Sequence, residues 1–317
     1  MRRYAILFAL VSLLLPVTVF CQTRTPEAAL NLFNNAVKKT DKGDLDGAIE
    51  DYTRAIRLSS RLEIRKDSNS RLGNSFAGSS ATETITVVDP FTANAYTNRG
   101  LARYQKGDNT GAIEDFNAAL QIRPGLASAY LNRAAALRAT GDLEGAIKDL
   151  DRAIALDNNF YRAFTNRGSI RLDLGDQAGA LADLNRSISL NKREPKSFYQ
   201  RGFVYLAMKN FDRSLADFDV AIAMDPTMAW AYQGRGTAWM STGRFLEAID
   251  DFTRAIERDP GIAWAYFNRG LARVLLGNET EAQNDFAEAL KLKPELKAKL
   301  DERIDIARHL RRIGSFK

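Results

Sequence analysis

The tripeptide Asn98-Arg99-Gly100 returns as Asn132-Arg133-Ala134, Asn166-Arg167-Gly168, Gln200-Arg201-Gly202, Gly234-Arg235-Gly236 and Asn268-Arg269-Gly270, always at a step of 34 residues. A period this regular confines the chain to folds in which one supersecondary unit stacks on copies of itself. Units begin at Ala93, Ala127, Tyr161, Pro195, Ala229 and Ala263. An earlier unit begins at Ala29; its second half, Asp44 to Leu58, matches the others while its first half diverges.

Each unit reads as two helices. In the unit from Ala93 the first helix is expected over about 93–106, stopping at Gly107-Asp108, where glycine permits a left-handed residue and aspartate can cap the next helix. The second is expected over about 110–122, ending before Pro124, which cannot continue it. Apolar residues recur at three- and four-residue spacing in both, giving each helix one apolar face. Small residues at Gly100, Ala112 and Ala119, with counterparts such as Gly236, Ala248 and Ala255, let two helices approach while Tyr96 and Phe116 fill the space between them. One hairpin cannot bury these faces alone, so neighbours must stack.

The pattern of Tyr96, Gly100, Gly107, Ala112, Phe116, Ala119 and Pro124, repeated at 34 residues, resembles the tetratricopeptide repeat family. Seven units over residues 29–294 share the frame; Lys209-Asn210 in place of Gly-Asp, Ser187 and Ser214 in place of alanine, and Asn158 and Lys192 in place of proline are the departures. The resemblance implies an all-α, right-handed superhelical solenoid of seven helix-turn-helix repeats, with first helices lining a concave groove. Residues 295–317 read as a capping helix and basic tail, with Leu296, Leu300, Ala307 and Leu310 on one face. The frame is broken once, by 30 extra residues, 59–88, twelve of them Ser, Thr or Gly. This insertion reads either as a mobile loop or as a dedicated binding element.

Two residues recur at the helix–helix seam. Asp51, Asp115, Asp149, Asp183, Asp217, Asp251 and Asp285 each precede the packing aromatic or leucine of a second helix. Arg99, Arg133, Arg167, Arg201, Arg235 and Arg269 each precede the small residue of a first helix. The expectation is a structural ladder of Arg–Asp pairs, the alternative a row of arginines gripping an acidic ligand. Before each arginine stands Asn98, Asn132, Asn166 or Asn268, with Gln200 and Gly234 in two units and Asn34 in the first. An amide is both donor and acceptor and suits the backbone of an extended peptide; the resemblance implies such a role on a concave face, and bonding inside the array is the alternative. Other positions expected in the groove are polar early (Asn94, Thr97, Ser128, Arg162, Thr165, Asp173) and apolar late (Tyr199, Phe203, Trp230, Met240, Trp264, Phe267, Leu271, Val274). The candidate peptide-binding set is therefore Asn98, Asn132, Asn166, Asn268, Tyr199, Phe203, Trp230, Trp264 and Phe267, the aromatic part because large apolar surface patches mark interaction sites.

Enzymatic chemistry has little to work with. The single His309 and single Cys21 preclude a zinc cluster of nitrogen and sulfur ligands or a histidine-based nucleophile pair, and no glycine-rich phosphate loop is present. No catalytic residue, metal or small-molecule cofactor is expected. Arg2 and Arg3 ahead of an apolar run from Tyr4 to Cys21 predict a secretory signal peptide, 1–21, with an uncleaved membrane anchor as the alternative; bulky Phe20 disfavours lipidation of Cys21. Removing Arg2 and Arg3 takes the formal charge from +6 to +4, and residues 291–317, with nine Lys or Arg against four Asp or Glu, carry +5. The body is thus near neutral, unlike a nucleic-acid-binding face. The expected function is an exported, non-enzymatic scaffold, periplasmic or secreted, that binds a protein or peptide, with self-association into an oligomer as the alternative.

Overall fold

In a computed structural model the described residues are 26–59 and 90–313, with fifteen α-helices, one short 3-10 turn and no strand among them. The segment 1–21 and the insertion beyond Ser59 lie outside these residues. The chain divides into two compact units, up to Pro124 and from Gly125 onward. The first holds α1 (Glu27–Asp41), α2 (Leu45–Ser59), α3 (Pro90–Gln105) and α4 (Asn109–Ile122), each packed on the next. Thr92 donates a buried hydrogen bond to Ser59 at 2.9 Å, so the chain leaves for the insertion and rejoins the array at one point.

The second unit continues the alternation with α5 (Ala127–Thr140), α6 (Leu143–Leu156), α7 (Tyr161–Asp173), α8 (Gln177–Leu190), α9 (Pro195–Ala207), α10 (Phe211–Met224), α11 (Ala229–Ser241), α12 (Phe245–Arg258), α13 (Ala263–Leu276) and α14 (Glu279–Leu292). The 3-10 turn Pro294–Leu296 then leads into α15 (Lys297–Ile313). Consecutive helix pairs stack as the repeat requires, and the architecture is a helical repeat solenoid.

Turn chemistry sets each hairpin. Asp108, Asp142 and Asp176 cap α4, α6 and α8 by accepting from the backbone N–H three residues on, at 2.8–2.9 Å. The turn before each second helix needs a left-handed residue, and glycine supplies it in every repeat but one. Lys209 takes that place between α9 and α10 with φ 56° and bears the Cβ penalty glycine avoids.

The seam inside each hairpin is close. Phe116, Leu150, Leu184, Phe218 and Phe252, at one frame position of successive second helices, are wholly buried, and Tyr52 and Phe286 nearly so. Each is worth about 1.5–3 kcal/mol of apolar burial. A methyl group placed on Gly236 would lie 2.8 Å from the Phe252 ring, so the aromatic packs on bare backbone.

Around this apolar seam runs the ladder. Arg99, Arg133, Arg167, Arg201, Arg235 and Arg269 each grip the aspartate of their own hairpin through Nε and one terminal nitrogen, as Arg235 does Asp251 at 2.8 and 2.7 Å. The third nitrogen reaches back one repeat. Arg99 donates to Thr53, Arg167 to Asp151, Arg201 to Asn185, Arg235 to Asp219 and Arg269 to Thr253, all within 3.0 Å. The acceptor always stands two residues after the preceding aspartate, so one guanidinium locks a hairpin and stitches it to its neighbour. In the first repeat, where Asn35 replaces arginine, Lys39 reaches Asp51 at 2.6 Å. Asp115, Asp183 and Asp285 gain a second cation, from Arg103, Arg171 and Arg273 at 2.8–3.1 Å.

Two predictions follow from this geometry. Arg235→Ala strands the buried Asp251 carboxylate without a cation and should cost roughly 1–3 kcal/mol or more. Arg167→Ala should cost less, because Asp183 keeps Arg171; thermal melts of both variants beside wild type test the order. Lys209→Gly relieves a left-handed non-glycine residue and should raise stability by about 1 kcal/mol, read as a shifted denaturation midpoint at constant slope.

Candidate functional site

The first helices distribute their side chains unevenly. Frame positions two and six, those of Trp230 and Asn132, face outward or are half-buried, the buried Gly234 excepted. Positions five and nine pack inward: Thr97, Thr165, Phe267 and Leu271 are buried. These four were expected in the groove, and the expectation is corrected by their packing against neighbouring helices. Asn94, Ser128, Arg162 and Asp173 are exposed as expected, with Asp173 paired to Arg138 at 2.6 Å.

In the first unit Asn98 is half-buried and its amide engages the Tyr52 hydroxyl, a contact inside the array. In the second, Asn132 and Asn268 are half-buried, and neither amide has an intramolecular partner among the described residues. Asn166 accepts from the Lys196 ammonium at 3.2 Å and borders a cleft of about 290 Å³ with Leu131, Arg162, Thr165, Glu194 and Lys196. The exposed Lys196 ammonium stands among the charges of Arg138, Arg162 and Glu194. Amides beside a crowded cation suit carbonyl or carboxylate oxygens.

The row breaks at Gly234 for a packing reason. A Cβ there would lie 2.5 Å from the fully buried Phe218 ring and 3.0 Å from Phe203, leaving no room for an amide side chain.

The aromatic residues separate into three groups. Tyr199 and Phe203 are half-buried in an edge-to-face cluster, 5.1 Å apart, with Phe203 again 5.1 Å from Phe218. Burial pushes the Tyr199 hydroxyl up to about 12. These two pack between helices while keeping one side open. Trp230 stands 44% exposed and is the open anchor of the set. Trp264, one repeat on, packs on Phe267 at 5.1 Å and carries the Lys299 ammonium over its ring at 4.7 Å. Phe267 is 2% exposed and Val274 fully buried, in one cluster with Leu296, Leu300 and Ala307 of the terminal segment. Phe267, Leu271 and Val274 are thus packing residues beneath α15, where an open wall was expected. Sequence reading took their frame positions as groove-lining and could not see that the terminal helix lies over them.

Among the described residues no helix is long and apolar enough to cross a membrane, and no group of three or more His, Cys, Asp or Glu could hold a metal ion. Family models described as TPR repeat or tetratricopeptide repeat match residues 100–141, 127–160, 161–194, 199–263 and 234–297, together more than half of the chain. A comparison with curated proteins gives no match. A tetratricopeptide repeat protein from Parabacteroides merdae is 20% identical with a TM-score of 0.63, covering 88% of this chain and 98% of its own. PilW, described as a type IV pilus biogenesis factor, is 18% identical with a TM-score of 0.59, covering 66% of this chain and 98% of its own. At these identities the likeness is one of fold. Sequence models and repeat geometry agree: the chain belongs to the tetratricopeptide repeat family and is a protein-interaction scaffold.

Proposed function

We propose that the chain is an exported, non-enzymatic adaptor that docks an extended segment of a partner protein along the first helices of its second unit. The observation that carries this reading is the pair Asn132 and Asn166, one repeat apart, together with the open Trp230 two repeats further on. Amides at successive repeats can engage successive stretches of peptide backbone, which supplies affinity without fixing sequence. An exposed tryptophan supplies an anchor of the kind that dominates interface energies. Arginines of the ladder are left out of the site because each spends its guanidinium on the buried aspartate of its own hairpin. Location in the envelope or secretory space rests on the charged and apolar pattern of residues 1–21.

A partner captured by crosslinking in the native host gives the ligand for the test. Asn132→Ala with Asn166→Ala removes two hydrogen bonds of about 0.5–1.5 kcal/mol each and should weaken binding by on the order of ten- to a hundredfold. Trp230→Ala should cost about 2 kcal/mol or more. Melting temperatures should hold, because none of the three side chains lies in the helix seam. Unaltered affinity in both variants would move the site to another face. N-terminal sequencing of the native protein checks the export reading, with a start near Gln22 expected.

A further inference from the structure

The terminal helix does not sit where an eighth repeat would. At the four internal joints of the second unit the incoming first helix packs mainly on the preceding second helix. By contrast, α15 packs along α13, the preceding first helix, and runs parallel to it: Lys299 stands over Trp264 near the start of α13, and Arg311 donates to the Val274 carbonyl near its end at 3.3 Å. On the α14 side it leaves a cleft of about 530 Å³ between Phe286, Ala287 and Leu290 and its own Leu300 and Ile304. Ala287 stands at the frame position where other repeats offer Thr53, Asp151, Asn185, Asp219 or Thr253 to the following arginine, and Arg303, the next arginine in frame, is exposed, so the stitch seen at those five joints is missing here.

What does hold α15 is modest. Of its 17 residues only Leu300 and Ala307 are buried, helped by Leu296 in the turn before it. Its charged ties, Arg308 to Glu279 at 2.8 Å and Arg311 to Glu279 at 3.3 Å, join side chains 35–41% exposed, and pairs of that kind contribute little. Yet it covers Trp264, Phe267, Leu271 and Val274, the most apolar first-helix surface in the array.

We propose that this surface of α13, completed by Glu279, is a docking site for an amphipathic helix with a basic flank, and that α15 is its displaceable intramolecular occupant. The packing of α15 specifies the partner: a leucine on Phe267 and Leu271, a small residue two turns later, a lysine over Trp264, and arginines beside Glu279. This extends the reading of first-helix faces as docking surfaces to a second ligand shape and adds a gate. A linker of four residues, 293–296, holds α15 at an effective concentration on the order of millimolar. A competing helix therefore succeeds only by binding better, or after α15 is loosened.

The probe is a mass-labelled, fluorescent peptide of residues 294–313, titrated against the full chain and against the full chain bearing Leu300→Ala, Arg308→Ala and Arg311→Ala. If α15 is displaceable, the loosened variant binds the peptide about tenfold or more tightly than wild type, because its site is more often vacant. Adding Trp264→Ala to that variant should abolish the gain, while Asn132→Ala with Asn166→Ala should leave it intact, so this proposal and the peptide-backbone reading fail separately. Hydrogen exchange on the wild-type chain provides the second measurement: excess peptide should accelerate exchange of the chain's own α15 amides. Peptide binding that is equal or absent in both proteins, with α15 exchange indifferent to added peptide, would overturn the proposal and leave α15 a fixed cap.

Discussion

A carboxylate buried in every second helix is the constraint on which the array depends. A buried charge without a partner is untenable, and each aspartate sits beside a fully packed aromatic or leucine, where water cannot serve it. The guanidinium answers this with two nitrogens and keeps a third for the hairpin before. Buried ion pairs add little net stability over an apolar replacement. Here the pair also acts on register: a hairpin slipped by one residue would strand its aspartate and lose its bond to the neighbouring repeat. The apolar seam supplies the bulk of the energy, and the ladder selects the single stacking that satisfies it.

The ends show the same rule by departing from it. In the first described hairpin the arginine is replaced by Asn35 and Lys39 takes over the aspartate. In the last, Ala287 removes the acceptor, and Arg303, one step of 34 after Arg269, is exposed on α15 instead of gripping an aspartate. Without that stitch the terminal helix lies on the first-helix face of α13.

Much of this was legible in the sequence. The step of 34 residues gave the hairpins, their turns and the seam, and the conserved frame of Arg99 and Asp115 gave the ladder inside a repeat, because helix periodicity places those side chains by local geometry alone. The stitch between repeats was equally present, as Thr53, Asp151, Asn185, Asp219 and Thr253 two residues after each aspartate. It forms no visible motif because three residue types, Thr, Asp and Asn, fill the position, joined only by their capacity to accept a hydrogen bond. Among the site residues, Asn132, Asn166 and Trp230 stand where helical phase put them. Phe203, Phe267, Leu271 and Val274 had the same apparent phase, yet contacts from other helices decide their exposure.

By itself, then, the sequence determined the repeat, the hairpin, the family and the pairing of arginine with aspartate, since each follows from spacing along one or two adjacent helices. Which apolar first-helix residues are open and which are covered was decided only by the tertiary structure. Trp230 and Trp264 occupy the same frame position, and one is open while the other lies under Lys299. The difference is made by α15, which packs on the apolar face of α13 through contacts that no local pattern encodes.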